Sequence, residues 1–214
     1  MSWVLFFDLG VGNGLRNRVA ESLAKNERGE AARFIASGYT LIGLIALALW
    51  VLVTAVSFFI PWQVVFNTQT ISDAALRATV QIGVFFIVLN FWIGLIGALL
   101  GAVQKTSVIA LGQLISNVAV LGLVYVLTKT TGASISHLAL VYGLSLTAAN
   151  ISLSLWFYQR YPELRPRPYL KKQHAHPLLH VGLQFFTIQL AVLVLFTTDK
   201  MLITQLFGPQ YVTQ

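Results

Sequence analysis

Five long stretches of this chain contain no Asp, Glu, Lys or Arg: Tyr39–Ile60, Thr79–Val103, Val108–Leu127, Leu138–Tyr158 and Leu178–Thr198. Each is close to the roughly 20 residues that a helix needs to cross a hydrocarbon layer about 30 Å thick. Inside that layer only a helix or a closed barrel satisfies its own backbone hydrogen bonds. A barrel strand alternates apolar and polar residues over about ten positions, whereas these runs are continuously apolar. The pattern predicts an all-α, polytopic transmembrane helical bundle. Composition agrees: 10% of residues are charged, against about 25% in soluble domains.

Charge then sets an orientation, because loops on the cytoplasmic side retain Lys and Arg during insertion. Of the 14 cations, 11 fall in alternate connections on one side: Arg16, Arg18, Lys25, Arg28, Arg33, Lys105, Arg160, Arg165, Arg167, Lys171 and Lys172. Only Arg77, Lys129 and Lys200 fall on the other. The first set is expected in the cytoplasm, with residues 15–38 and 159–177 as cytoplasmic connections. The second connection carries four prolines between Arg160 and Pro177, a composition suited to a linker between two helical groups. The expected division is residues 1–158, with four complete spans and a partial first helix, then the basic linker 159–177, then 178–214 as the start of a second group. Both ends read as incomplete, since Ser2–Leu15 is short and glycine-rich and the chain stops soon after Gly208-Pro209.

Several chemistries are excluded. There is no cysteine, so disulfide and thiol chemistry do not arise. The cations lie between apolar spans and not along one solvated face, which argues against nucleic acid as a partner. Gly10-Val11-Gly12-Asn13-Gly14 lacks the strand and the glycine spacing of a dinucleotide loop and is better suited to flexibility or close helix packing. His174, His176 and His180 have no carboxylate or cysteine to complete a zinc set, and neither paired carboxylates nor a nucleophile with its base occupy a long loop. No cofactor is implied, and an enzyme is not expected.

Uncharged polar residues inside the spans carry the functional signal, because each costs free energy in lipid unless it meets a partner helix or water. Gly83, Asn90, Gly94, Gly97 and Gly101 share one helical face, as do Gly143, Thr147, Asn150 and Ser154. Gln113 and Asn117 lie one turn apart. His180, Gln184 and Thr187 share a face from which Gln189 is turned away. Such amides match sugar hydroxyls, although helix-packing contacts explain the same pattern. Asp199 and Lys200 directly follow the fifth run and suit a gate or substrate contact, with interfacial placement as the plain alternative. Asp8 is a candidate coupling or gating group.

Phe7-Asp8-Leu9-Gly10-Val11-Gly12-Asn13-Gly14-Leu15-Arg16-Asn17-Arg18, followed by Ala20-Glu21-Ser22-Leu23-Ala24, resembles the second-helix end and cytoplasmic loop of the polysaccharide (O-antigen) flippases. Thr198-Asp199-Lys200-Met201-Leu202-Ile203, with Leu206-Phe207-Gly208-Pro209 and Val212-Thr213, is similar to their seventh-helix region. These proteins belong to the multidrug/oligosaccharidyl-lipid/polysaccharide exporter superfamily. The resemblance implies a fragment of a two-lobe exporter fold, from a partial helix two to helix seven. It implies flipping of a polyprenyl-pyrophosphate-linked oligosaccharide across an inner membrane by alternating access, alongside other polysaccharide-assembly proteins. Arg16, Arg18 and Lys200 are the cations expected to meet phosphate, and Asn90, Gln113, Asn117, Asn150 and Gln184 the amides expected to meet the glycan. The rival readings are a multidrug or peptidoglycan-precursor exporter of the same fold, a membrane glycosyltransferase or polymerase, and a structural assembly factor.

Overall fold

A computed structural model describes residues 10–130, 135–167, 169 and 171–207. Every regular element among them is helical: α1 (Val11–Ala24), α2 (Arg28–Ser57), α3 (Trp62–Val65), α4 (Asp73–Ile93), α5 (Ile96–Ala102), α6 (Thr106–Thr130), α7 (Ile135–Arg160) and α8 (Lys172–Phe207), with a 3₁₀ turn at Pro162–Leu164. Four helical segments are long and apolar enough to cross a membrane, namely Arg28–Ser57, Asp73–Ala102, Thr106–Lys129 and Ser136–Arg160. The expected fifth run lies within α8. The protein is a multi-pass membrane protein with an all-helical fold.

Helix ends follow local chemistry. The Ser72 side chain accepts from the Ala75 backbone N–H at 3.3 Å and caps α4. After α1 the chain reverses through Asn26 at φ 62°, a left-handed conformation that Asn tolerates. There the Glu27 N–H reaches back to the Ser22 carbonyl at 2.8 Å, which closes the helix and starts α2 at Arg28. Residues 15–38, expected as a connection, are therefore helical on both sides of a short turn. Hydropathy marks the stretch that faces lipid, whereas Arg28, Glu30 and Arg33 are good helix formers outside it. The same distinction applies to 159–177, where α8 already begins at Lys172 and contains Pro177.

The second expected span is interrupted. Gly94 and Leu95 separate α4 from α5, and the Leu95 N–H bonds to the Trp92 carbonyl at 3.4 Å while Gly97 N–H bonds to Gly94 at 2.9 Å. These three-residue steps tighten the helix locally. A Cβ on Gly94 would collide with the Asn90 carbonyl.

Packing is concentrated at one end of the bundle. Val11, Leu15, Val19, Ala31, Ile35, Ile42, Leu95, Ile96, Leu99, Leu100, Phe157, Leu164 and Leu178 form one buried cluster where α1, α5 and the adjoining ends of α2, α7 and α8 meet. The cations Arg18, Arg28, Arg33, Lys105 and Arg160 flank this end in sequence. Water is near there, so apolar burial is favourable by roughly 1.5–3 kcal/mol per large side chain. Elsewhere large apolar side chains face outward, including Leu52, Leu114, Leu121 and Val194. In the most apolar stretch of the third span only 11% of residues are buried, which is expected where lipid supplies the apolar surroundings.

Candidate functional site

Above the buried cluster a partly open cavity of about 420 Å³ lies among α1, α4, α5, α6, α7 and α8. Gly12, Asn13 and Arg16 come from α1, Asn90 and Phe91 from α4, and Gln113 from α6. Asn150 comes from α7 and Gln189 from α8. Phe91, Leu95, Ile109, Leu146 and Leu153 supply apolar walls, and no carboxylate is among the described lining residues.

Close helix approach makes room for this arrangement. Gly10 sits at φ 69°, and a Cβ there would strike the Gly182 carbonyl of α8. A Cβ on Gly14 would come within 2.9 Å of the Leu178 carbonyl. Of the two roles expected for the glycine run, flexibility or close packing, this geometry shows close packing. Gly101 similarly leaves space for Arg16, whose Nε would lie 3.0 Å from a Cβ at that position. Arg16 is thereby laid across α5 at the edge of the cavity, and it makes no hydrogen bond or ion pair with the described residues.

The amides divide into two kinds. The Asn90 side-chain nitrogen donates to Thr147 Oγ1 at 2.8 Å and to the Phe86 carbonyl at 2.9 Å. The Asn150 nitrogen donates to Asn90 Oδ1 at 3.0 Å, and Thr147 donates to the Gly143 carbonyl at 2.7 Å. The two faces recognised in sequence therefore meet each other, joining α4 to α7 while bordering the cavity. Gln113 borders it without such bonds to the described residues.

Other expected residues lie elsewhere. Arg18 pairs with Glu21 at 3.0 Å, in a cluster that Lys25 joins at 2.8 Å. Asn117 is exposed one turn beyond Gln113. Gln184 is exposed, and its nitrogen is 3.4 Å from His180 Nε2. None of these three lines the cavity. Asp8 lies outside the described residues, as do the side chains of Asp199 and Lys200, whose backbone belongs to α8. His174, expected in a linker, is fully buried in α8, with Nε2 3.0 Å from Glu30 Oε1 and Nδ1 3.3 Å from the Tyr169 hydroxyl. No group of three or more His, Cys, Asp or Glu side chains suited to a metal occurs among the described residues.

Asn13 and Gln189 border the cavity unanticipated. The buried Gln189 Oε1 has no hydrogen-bond partner among the described residues. Five positions separate it from Gln184, which turns it about 140° around the helix. That turn was visible in the sequence, but which face of α8 meets the cavity was not.

The fold is that of a helical membrane transporter. The structure matches one solved as the inward-facing conformation of a multidrug resistance MATE family transporter of the MOP superfamily, with a TM-score of 0.73 and 12% sequence identity. The match covers 98% of this chain and 48% of that chain, so the chain spans about half the length of that transporter. The family model for polysaccharide biosynthesis proteins matches residues 1–213, and the chain belongs to that family. No curated protein matches it.

Proposed function

We propose that the chain is part of an exporter that flips a lipid-linked oligosaccharide across the inner membrane by alternating access. The observation that carries this reading is Arg16, a guanidinium without a carboxylate partner among the described residues, at the edge of a cavity bordered by amides. A guanidinium binds phosphate through paired N–H donors. Amides offer both donors and acceptors to sugar hydroxyls. The largely apolar exterior of the helices leaves a polyprenyl tail in lipid while its polar head occupies the cavity. No covalent step is needed.

The reading gives Arg16 the pyrophosphate, and Asn90, Gln113, Asn150 and Gln189 the glycan. Asp8, Asp199 and Lys200 are proposed for coupling, gating and substrate contact, and the cation-rich side is proposed to face the cytoplasm. Residues 1–158 then form most of one lobe, and the region around 159–177 joins it to the next. A cationic drug as cargo is disfavoured by the lack of carboxylates among the described lining residues.

Complementation of a strain lacking its polysaccharide flippase, using the gene that encodes this chain, tests the proposal. Surface glycan should return with the unaltered gene and fall about ten-fold or more with Arg16→Gln at equal membrane abundance, as expected for loss of a charge-assisted hydrogen bond. Full glycan export by Arg16→Gln would overturn the assignment.

A further inference from the structure

A second concavity, of about 550 Å³, opens where the beginning of α2 meets the segment after α7. It shares no lining residue with the cavity above. Arg33, Arg165 and Arg167 line it together with Tyr169 and Ala36. The one carboxylate among its described lining residues is Glu163, already engaged by Arg28 at 2.7 Å.

The three guanidinium groups are held differently. Arg165 donates from Nε to the Tyr158 carbonyl at 3.2 Å, which fixes its stem. Arg33 bonds to Glu30 at 3.1 Å through one terminal nitrogen, with its side chain 58% exposed. Arg167 makes no hydrogen bond or ion pair with the described residues. Among the described residues most of the donors around this groove are thus unspent, and planar N–H forks lining one space suit a phosphate group.

Depth in the membrane identifies the source of that phosphate. Arg33 precedes Tyr39, where the uncharged run begins, by six residues, or about 9 Å of helix. The headgroup layer extends about 5–8 Å beyond the hydrocarbon on each side, within reach of an arginine side chain. We propose that this groove binds the headgroup phosphate of an anionic phospholipid. The bound lipid bridges α2 to the chain leading into α8, so that lipid charge bears on how these elements sit together.

The test uses the full chain purified in neutral detergent and native mass spectrometry with phosphatidylglycerol or phosphatidylcholine. Phosphatidylglycerol should be retained about ten-fold better than phosphatidylcholine, with that advantage lost in Arg165→Gln/Arg167→Gln, given the roughly five-fold worth of each basic residue near an anionic surface. Arg33→Gln should reduce it from the opposite wall, whereas Lys105→Gln, which removes a charge outside the groove, should leave it unchanged. Equal retention of the two lipids, full retention by the double variant, or an equal loss in Lys105→Gln would overturn the proposal. So would displacement of the lipid by equimolar inorganic phosphate, which would reveal a soluble-phosphate site.

Discussion

The side-chain nitrogen of Asn150 donates to Asn90 Oδ1 across 3.0 Å, tying α7 to the last turn of α4. Asn90 passes the connection on to Thr147 at 2.8 Å. Removing Asn90 leaves both partners short of a bond in surroundings where water is scarce. Asn90→Leu should lower stability in detergent by about 0.5–2 kcal/mol, measured as a fall in unfolding temperature. Gln113→Leu, at a position without such bonds among the described residues, should leave stability nearly unchanged. Equal losses for the two variants would show that the Asn90 network does not hold the helices together.

Gly10 and Gly14 predict a steeper response. A methyl group at Gly10 meets the α8 backbone and also requires a left-handed conformation at φ 69°. Gly10→Ala should cost about 2–5 kcal/mol, combining overpacking with backbone strain. Gly29, with nothing within 4 Å of an added Cβ, provides the control. Gly29→Ala should be neutral or slightly stabilising. Thermal unfolding of the purified variants reads both.

Arg16 and Arg18 are separated by one residue but differ in surroundings. Arg18 is held by Glu21 on an exposed face, whereas Arg16 borders the cavity. If the cavity receives pyrophosphate, Arg16→Gln should weaken binding of a pyrophosphate-bearing substrate by about ten-fold or more. Arg18→Gln should weaken it by less than about two-fold, as expected for an exposed pair. Equilibrium binding of the labelled substrate to the two variants measures the difference.

Acid should loosen the junction between α2 and α8. Glu30 lies before the apolar run, and its hydrogen bond to His174, followed by its bond to Arg33, holds its carboxyl below the usual value. A depressed carboxyl pKa stabilises the fold above the unfolded-state value of about 4.3. That contribution disappears as pH falls through the lower folded-state value. The unaltered protein should lose stability on the acid side of about pH 4.3, and Glu30→Gln should flatten this part of the profile. A pH series of unfolding temperatures gives the comparison.

The apolar runs made the helical architecture legible, because lipid imposes the same requirement on every residue of a span. Asn90 and Asn150 were also legible as inward-facing amides from their spacing. That they would bond to each other was not, since spacing fixes a face within one helix and says nothing of how two helices are rotated together. Gln189 was set aside for the same reason. Glu30 and His174 are 144 residues apart, and each looks like an ordinary polar residue of a connection. Only the helical starts of α2 and α8 bring them together. The interruption at Gly94 was hidden because glycine and leucine in an apolar run are equally compatible with an unbroken helix.

Along one track of the seam between α1 and α8 backbone meets backbone, with Gly10 and Gly14 lying against Gly182 and Leu178. Interlocked side chains must climb out of one another's recesses when helices shift, whereas a glycine track offers few teeth to disengage. Sliding along this track should therefore meet little friction, while any bulkier residue would act as a brake.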